Sequence, residues 1–164
     1  MRKFSTINFQ RGFSLVELII SMTVLAILLG IVTLNLNTAQ QNTTNVSTID
    51  TLIADLSQQQ IKAMVGDTEG RSTLDNYGIY FNNATYTLFH GAYSALESTN
   101  FSVNLPTTQH FTTTFPGNQV IFLKGSGEIS GFTAGQNTIT VANTTSGQQK
   151  IIQINRYGVI TAIN

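Results

Sequence analysis

The chain has 164 residues, 8 basic and 8 acidic, giving a formal net charge of zero with only 10% of residues charged. That length allows one compact domain plus an extended element. The absence of cysteine excludes disulfides and thiol chemistry, so side-chain packing and sheet hydrogen bonds must hold the molecule together.

The first element is apolar. Arg2, Lys3 and Arg11 precede it with no acidic residue among them. From Phe13 to Leu34 the only charge is Glu17, and the next one is Asp50. At 1.5 Å rise per residue, a helix over this run measures roughly 33 Å, enough to cross a bilayer's hydrocarbon core. A lone segment in lipid must be helical, because each backbone N–H and C=O has to find its partner internally. The basic flank predicts that this end stays in the cytoplasm and that the rest of the chain lies outside. Glu17 is the anomaly. A carboxylate costs roughly 2.5–3.5 kcal/mol at the centre of such a helix and less near an interface. Either it reaches headgroup water or it pairs with a positive charge. Cleavage after Gly12 would create such a charge, the free amino group of Phe13, on a neighbouring copy.

The run Arg11-Gly12-Phe13-Ser14-Leu15-Val16-Glu17-Leu18 resembles the processing site of type IV prepilins and type II secretion pseudopilins. The resemblance implies that residues 1–12 are a leader, that a prepilin peptidase cuts after Gly12, and that Phe13 is then N-methylated. It implies that Glu17 sets the register between subunits, and that Arg2, Lys3 and Arg11 fix the membrane orientation. The implied partners are the peptidase, other pilin or pseudopilin subunits, an assembly platform with its ATPase, and the membrane. The implied location is single-pass in the inner membrane, N-terminus inside, before assembly, and an extracytoplasmic filament afterwards. Two other readings account for less of the pattern. A secretory signal has a shorter apolar region followed by a small-residue cleavage site, whereas this run is longer and carries Glu17. A plain membrane anchor leaves Gly12-Phe13 and Glu17 unexplained. Removing the leader takes away Arg2, Lys3 and Arg11, leaving 5 basic against 8 acidic residues, a formal charge of −3. That balance argues against broad phosphate binding. The lack of thiols turns the resemblance toward pseudopilins, minor pilins or a lineage without disulfides.

Residues 35–45 are polar, uncharged and rich in Asn and Thr, which are poor helix formers. Helical periodicity returns with Val46, Ile49, Leu52, Ile53 and Leu56. Ile61, Met64 and Val65 extend the apolar surface, and Gly66-Asp67 marks a stop. One helix from about Phe13 to Val65 is therefore expected, with a transmembrane half over 13–36 and an amphipathic half over 37–66 that lays its Ile49/Ile53/Leu56 face on a folded domain. Asp67, Glu69 and Asp75 in the polar loop 67–76 match no calcium-loop template. They are expected to be solvated charges, and no metal or cofactor is expected.

From Tyr77 the period changes to two. Tyr77–Phe81 and Thr85–Phe89 flank the hairpin signal Asn82-Asn83-Ala84. Phe101–Leu105, ending at Pro106, should be short or an edge strand; His110–Phe115 follows. The continuous apolar run Val120–Leu123 is expected to be a central strand. Thr138–Val141 should pair with Lys150–Ile154, and Val159–Ile163 closes the chain. Seven or eight strands make residues 67–164 a β-rich domain, an antiparallel sheet or sandwich against the helix, for an α+β type IV pilin-like fold. This arrangement resembles H-type pseudopilins and related minor pilins.

Catalysis finds little support. His90 and His110 sit in strand-like or turn contexts, and neither they nor Ser94 and Asp75 have the spacing of a nucleophile motif or a metal site. Some minor pilins of the H type bind DNA near their C-terminus. Here Lys150, Arg156 and Tyr157 offer two cations and one ring, a thin footprint against the roughly six to ten phosphate contacts of typical binders. Asn42, Asn45, Asn83 and Asn143 begin N-x-[ST] triplets, which an Asn/Thr-rich chain produces by composition alone.

Overall fold

The computed structural model describes residues 14–164, and for residues 34–45 the backbone alone. Helix α1 spans Leu15–Val65. The chain separates into two compact units at Gln40/Gln41.

In the first unit every described side chain from Ser14 to Thr33 is exposed. The 19-residue stretch Leu15–Thr33 is long and apolar enough to cross a membrane. Its hydroxyls are satisfied within the helix. Ser21 and Thr23 donate to the carbonyls of Glu17 and Ile19 at 2.7 and 2.8 Å, and Thr33 donates to those of Leu29 and Gly30 at 3.0 and 2.9 Å. Such back-bonding lets a hydroxyl sit among apolar side chains without an unmet donor.

In the second unit the helix buries Ile49, Leu52, Leu56, Gln59 and Ala63. Steps of three and four keep these on one stripe. Ile53 lies beside it, half-buried. Val46, Ile61, Met64 and Val65 are exposed, at 55%, 58%, 50% and 71%, which corrects their expected place on the packed surface. At about 100° per residue, Ile61 and Val65 point away from the stripe, and the polar Gln59 and small Ala63 continue it instead. The helix stops in a Schellman motif. Gly66, at φ 68°, donates its N–H to the carbonyl of Ala63, and Asp67 donates to that of Lys62.

Eight strands follow, β1 Tyr77–Phe81, β2 Thr85–His90, β3 Phe101–Asn104, β4 Gln109–Thr113, β5 Gln119–Phe122, β6 Thr138–Asn143, β7 Gln149–Ile154 and β8 Ile160–Ile163. They form two antiparallel sheets with orders β3-β2-β1-β5 and β4-β6-β7-β8. Tyr77, Ile79, Phe81, Tyr86, Val120 and Phe122 of the first sheet share one core with Phe111, Ile139, Val141, Ile152 and Ile154 of the second and with the helix stripe. Phe111 meets Phe81 and Tyr86 edge-on at ring distances of 5.5 and 5.7 Å, which joins the sheets. β3 is an edge strand, as Pro106 suggested.

β5 is also an edge, not the central strand expected from its apolar run. Its outer side is closed by loop backbone. Leu123 N–H donates to Glu128 O, Ser130 N–H to Ile121 O, and Phe122 bridges Ile129. A strand covered this way is buried without a second full-length neighbour, so its composition reads as central. The far face of the first sheet is covered as well. Phe89 lies over Gly78, where an added Cβ would stand 2.6 Å from the ring, and Tyr93 stacks on Tyr80 at 4.0 Å. This cover erases the simple in–out alternation on β1.

Candidate functional site

Of the sequence-predicted residues, Arg2, Lys3, Arg11, Gly12 and Phe13 lie outside the described residues. Glu17 and its surroundings are described. Ser14 precedes the helix, and its Oγ accepts the N–H of Glu17 at 3.2 Å while its carbonyl accepts that of Leu18 at 3.1 Å. Ser14 is thus an N-cap, and Ser14-Leu15-Val16-Glu17 has capping-box spacing. Its sequence signal is the S-x-x-E pattern ahead of an apolar run. Glu17 is exposed and lies in the first turn, where the helix dipole favours negative charge.

Residues 7–33 match the family model for the prokaryotic N-terminal methylation motif. The matched stretch runs across Gly12, Phe13 and Glu17 and covers the apolar helix segment Leu15–Thr33. It supports a type IV pilin-like subunit that is processed by a peptidase and assembles with other subunits of its kind. It is consistent with a membrane-anchored pilin. With the long helix and the antiparallel sheets, the molecule has an α+β, pilin-like arrangement. No curated protein and no solved structure matches the chain.

The C-terminal residues weighed for nucleic acid are not brought together. Lys150 lies near the start of β7 and Arg156 in the turn past its end, so the strand from Lys150 to Ile154, about 13 Å, comes between them. Arg156 stands 3.7 Å from Glu128. Tyr157 is 62% exposed, and its backbone carbonyl accepts the Gln60 amide at 2.6 Å. The turn is therefore a structural seat for the helix. Gly158 sits at φ 75° with no room for a Cβ, which would stand 2.4 Å from Gln60 Nε2.

The loop 67–76 departs from the expected solvated charges. Glu69 takes Lys62 at 2.6 Å and Arg71 at 3.1 Å, and Asp75 takes Arg71 at 3.3 Å and His90 Nδ1 at 3.6 Å. Arg71 Nη2 donates to Tyr77 OH at 3.0 Å, and that hydroxyl donates to the Asp67 carbonyl at 2.8 Å. Glu69 and Asp75 share Arg71, while Asp67 Oδ1 accepts the Glu69 N–H at 2.9 Å. Among the described residues no set of three acidic or histidine side chains gathers to hold an ion. The Lys62 ammonium holds the Glu69 carboxyl below its ordinary range, with Arg71 assisting. Burial pushes the Tyr77 hydroxyl up. His90 Nε2 shares a 2.9 Å hydrogen bond with Thr99, so the histidine ties the 91–100 connection to the loop.

Among the N-x-[ST] triplets, Asn143 is buried, and its Oδ1 accepts the N–H groups of Thr145 and Ser146 in a turn. Asn83 is exposed at the β1–β2 turn, and the side chains of Asn42 and Asn45 lie outside the described residues.

Proposed function

We propose that this chain is the precursor of a pseudopilin or minor-pilin structural subunit of a type II secretion pseudopilus or a type IV pilus. A prepilin peptidase cuts it between Gly12 and Phe13 and methylates Phe13, so the chemistry is performed on the chain and not by it. Before assembly it sits in the inner membrane with Arg2, Lys3 and Arg11 inside. Residues 13–36 are the lipid-facing half of the helix, 37–66 the half that carries the globular domain, and 67–164 the β-rich remainder. Of the known subunit types, its strand-rich end is most like the H type.

The observation that carries this reading is the motif match over residues 7–33, which coincides with a helix segment whose apolar side chains are all exposed. Assembly exchanges lipid contacts for contacts between helices. That exchange gains little from apolar packing, since lipid tails are as apolar as leucine. Registry comes from the Glu17 carboxylate meeting the Phe13 ammonium of a neighbour, and the assembly ATPase supplies the work.

Two variants test this. Gly12→Asp should leave the leader attached, visible as a larger band on a gel; normal processing would contradict the cleavage assignment. Glu17→Gln keeps a capping-box residue but removes the charge. It should be processed normally and fail to enter filaments, and normal incorporation would leave Glu17 with its capping role alone.

A further inference from the structure

The hydroxyls of the apolar segment are used in two opposite ways. Ser21, Thr23 and Thr33 donate to carbonyls of the helix behind them. Ser14 does the reverse: its Oγ accepts a backbone N–H, that of Glu17, at 3.2 Å. In an unbroken helix the N–H of residue i bonds the carbonyl of residue i−4, so the Glu17 N–H would go to the carbonyl of Phe13. The Ser14 hydroxyl therefore competes with the Phe13 carbonyl for one donor, and in this structure the hydroxyl holds it. The Leu18 N–H bonds the Ser14 carbonyl at 3.1 Å, so the ladder stops at Ser14 and α1 begins at Leu15. The first N–H groups of a helix have no partner of their own, and apolar surroundings offer them little water. Without the cap, the Glu17 N–H is met by winding the helix further upstream. The next carbonyl drawn in would be that of Gly12, on the Val16 N–H. That carbonyl belongs to the Gly12–Phe13 peptide bond. A carbonyl held in a helical ladder is not free for attack, and cleavage then follows the population of the open form.

We propose that Ser14 is a positioning residue for leader removal: by capping α1 it stops the helix short of the Gly12–Phe13 bond and leaves that bond open to a peptidase. The proposal rests on the cleavage assignment above. Ser14 acts through the helix end and does not touch the reacting atoms. Residues at position 14 should then rank by capping strength, with Asn equal to Ser and Ala far below. Ala is also the strongest helix former, so it favours the extended helix on both counts.

The test compares the full-length wild-type, Ser14→Ala and Ser14→Asn chains in detergent micelles with the purified prepilin peptidase of the native cells. Leader loss is followed on a gel, and NMR Cα shifts report the backbone at Gly12 and Phe13 in the uncut chains. Wild type and Ser14→Asn should be cut at similar rates, with non-helical shifts at both residues. Ser14→Ala should be cut about 2- to 30-fold more slowly, the range set by the usual loss of a cap, with its shifts moved toward helical values. Three results would overturn the proposal and leave the cleavage assignment standing: Ser14→Ala cut at the wild-type rate, Ser14→Asn cut as slowly as Ser14→Ala, or helical shifts at Phe13 in the wild type. Slow cutting of Ser14→Ala with unmoved shifts would also overturn it, since the peptidase would then be reading the hydroxyl directly. A wild-type chain left uncut would overturn the cleavage assignment, and the proposal with it.

Discussion

The two halves of α1 are built from the same helical geometry and opposite burial logic. From Leu15 to Thr33 apolar residues occupy every side of the helix, and none is covered by the chain itself. From Ile49 to Ala63 a narrow stripe is buried, and apolar residues off that stripe, such as Ile61, remain exposed. A helix apolar all round needs an apolar surrounding, whereas a striped one needs a single packed partner. The second half has that partner in its two sheets. The first half has no such partner among the described residues, which is consistent with a membrane anchor. The polar Asn/Thr stretch between them stays helical in backbone despite its low propensity.

Truncation should separate the halves most sharply. Leu52 is fully buried, so Leu52→Ala should lower the unfolding free energy of the globular unit by roughly 2–5 kcal/mol. Leu25 is 58% exposed, and Leu25→Ala should change that figure by less than about 0.5 kcal/mol. Denaturant unfolding in micelles checks both, and similar losses would dissolve the distinction. A smaller effect is expected at the seam between helix and sheet. Tyr86→Phe removes the hydroxyl that donates to Asp55 and should cost about 1.5–3 kcal/mol. Burial, then the Asp55 carboxylate, pushes the Tyr86 phenol far above its ordinary 10.0. The folded chain therefore holds the proton that the unfolded chain releases. Stability should fall as pH rises past about 10, with Tyr86→Phe flattening that slope. The smallest effect belongs to the loop network. The lowered Glu69 carboxyl contributes its full stability above the ordinary 4.5 and loses it as pH falls through the lower folded value. Glu69→Gln should cost about 0.2–1 kcal/mol at neutral pH, and the gap should close in acid. A gap that persists there would assign the loss to packing.

What could be read from the sequence followed from how local each signal was. Gly12, Phe13 and Glu17 fall within one short stretch that the family model covers, and a motif of this kind does not depend on the fold. The strands were legible because alternation is a property of neighbours in the chain. The helix stripe was legible at Ile49, Leu52 and Leu56 but not beyond, because Gln59 is polar and Ala63 small while Ile61 and Val65 look like core. The misreading of β5 has the same origin, since residues 128–130 cover it from a loop that composition marks only as turn-rich. The ion network was out of reach, because it joins Lys62 to Glu69 and Arg71 to Asp75 and Tyr77 through side-chain contacts that no local pattern marks.

The central claim is that a new amino terminus is made at Phe13 to face a neighbour's Glu17. Mass spectrometry of the N-terminal peptide from protein extracted from its native cells tests it directly. The account predicts a chain that starts at Phe13 and carries one methyl group on its amino nitrogen. A chain that still starts at Met1 would contradict it.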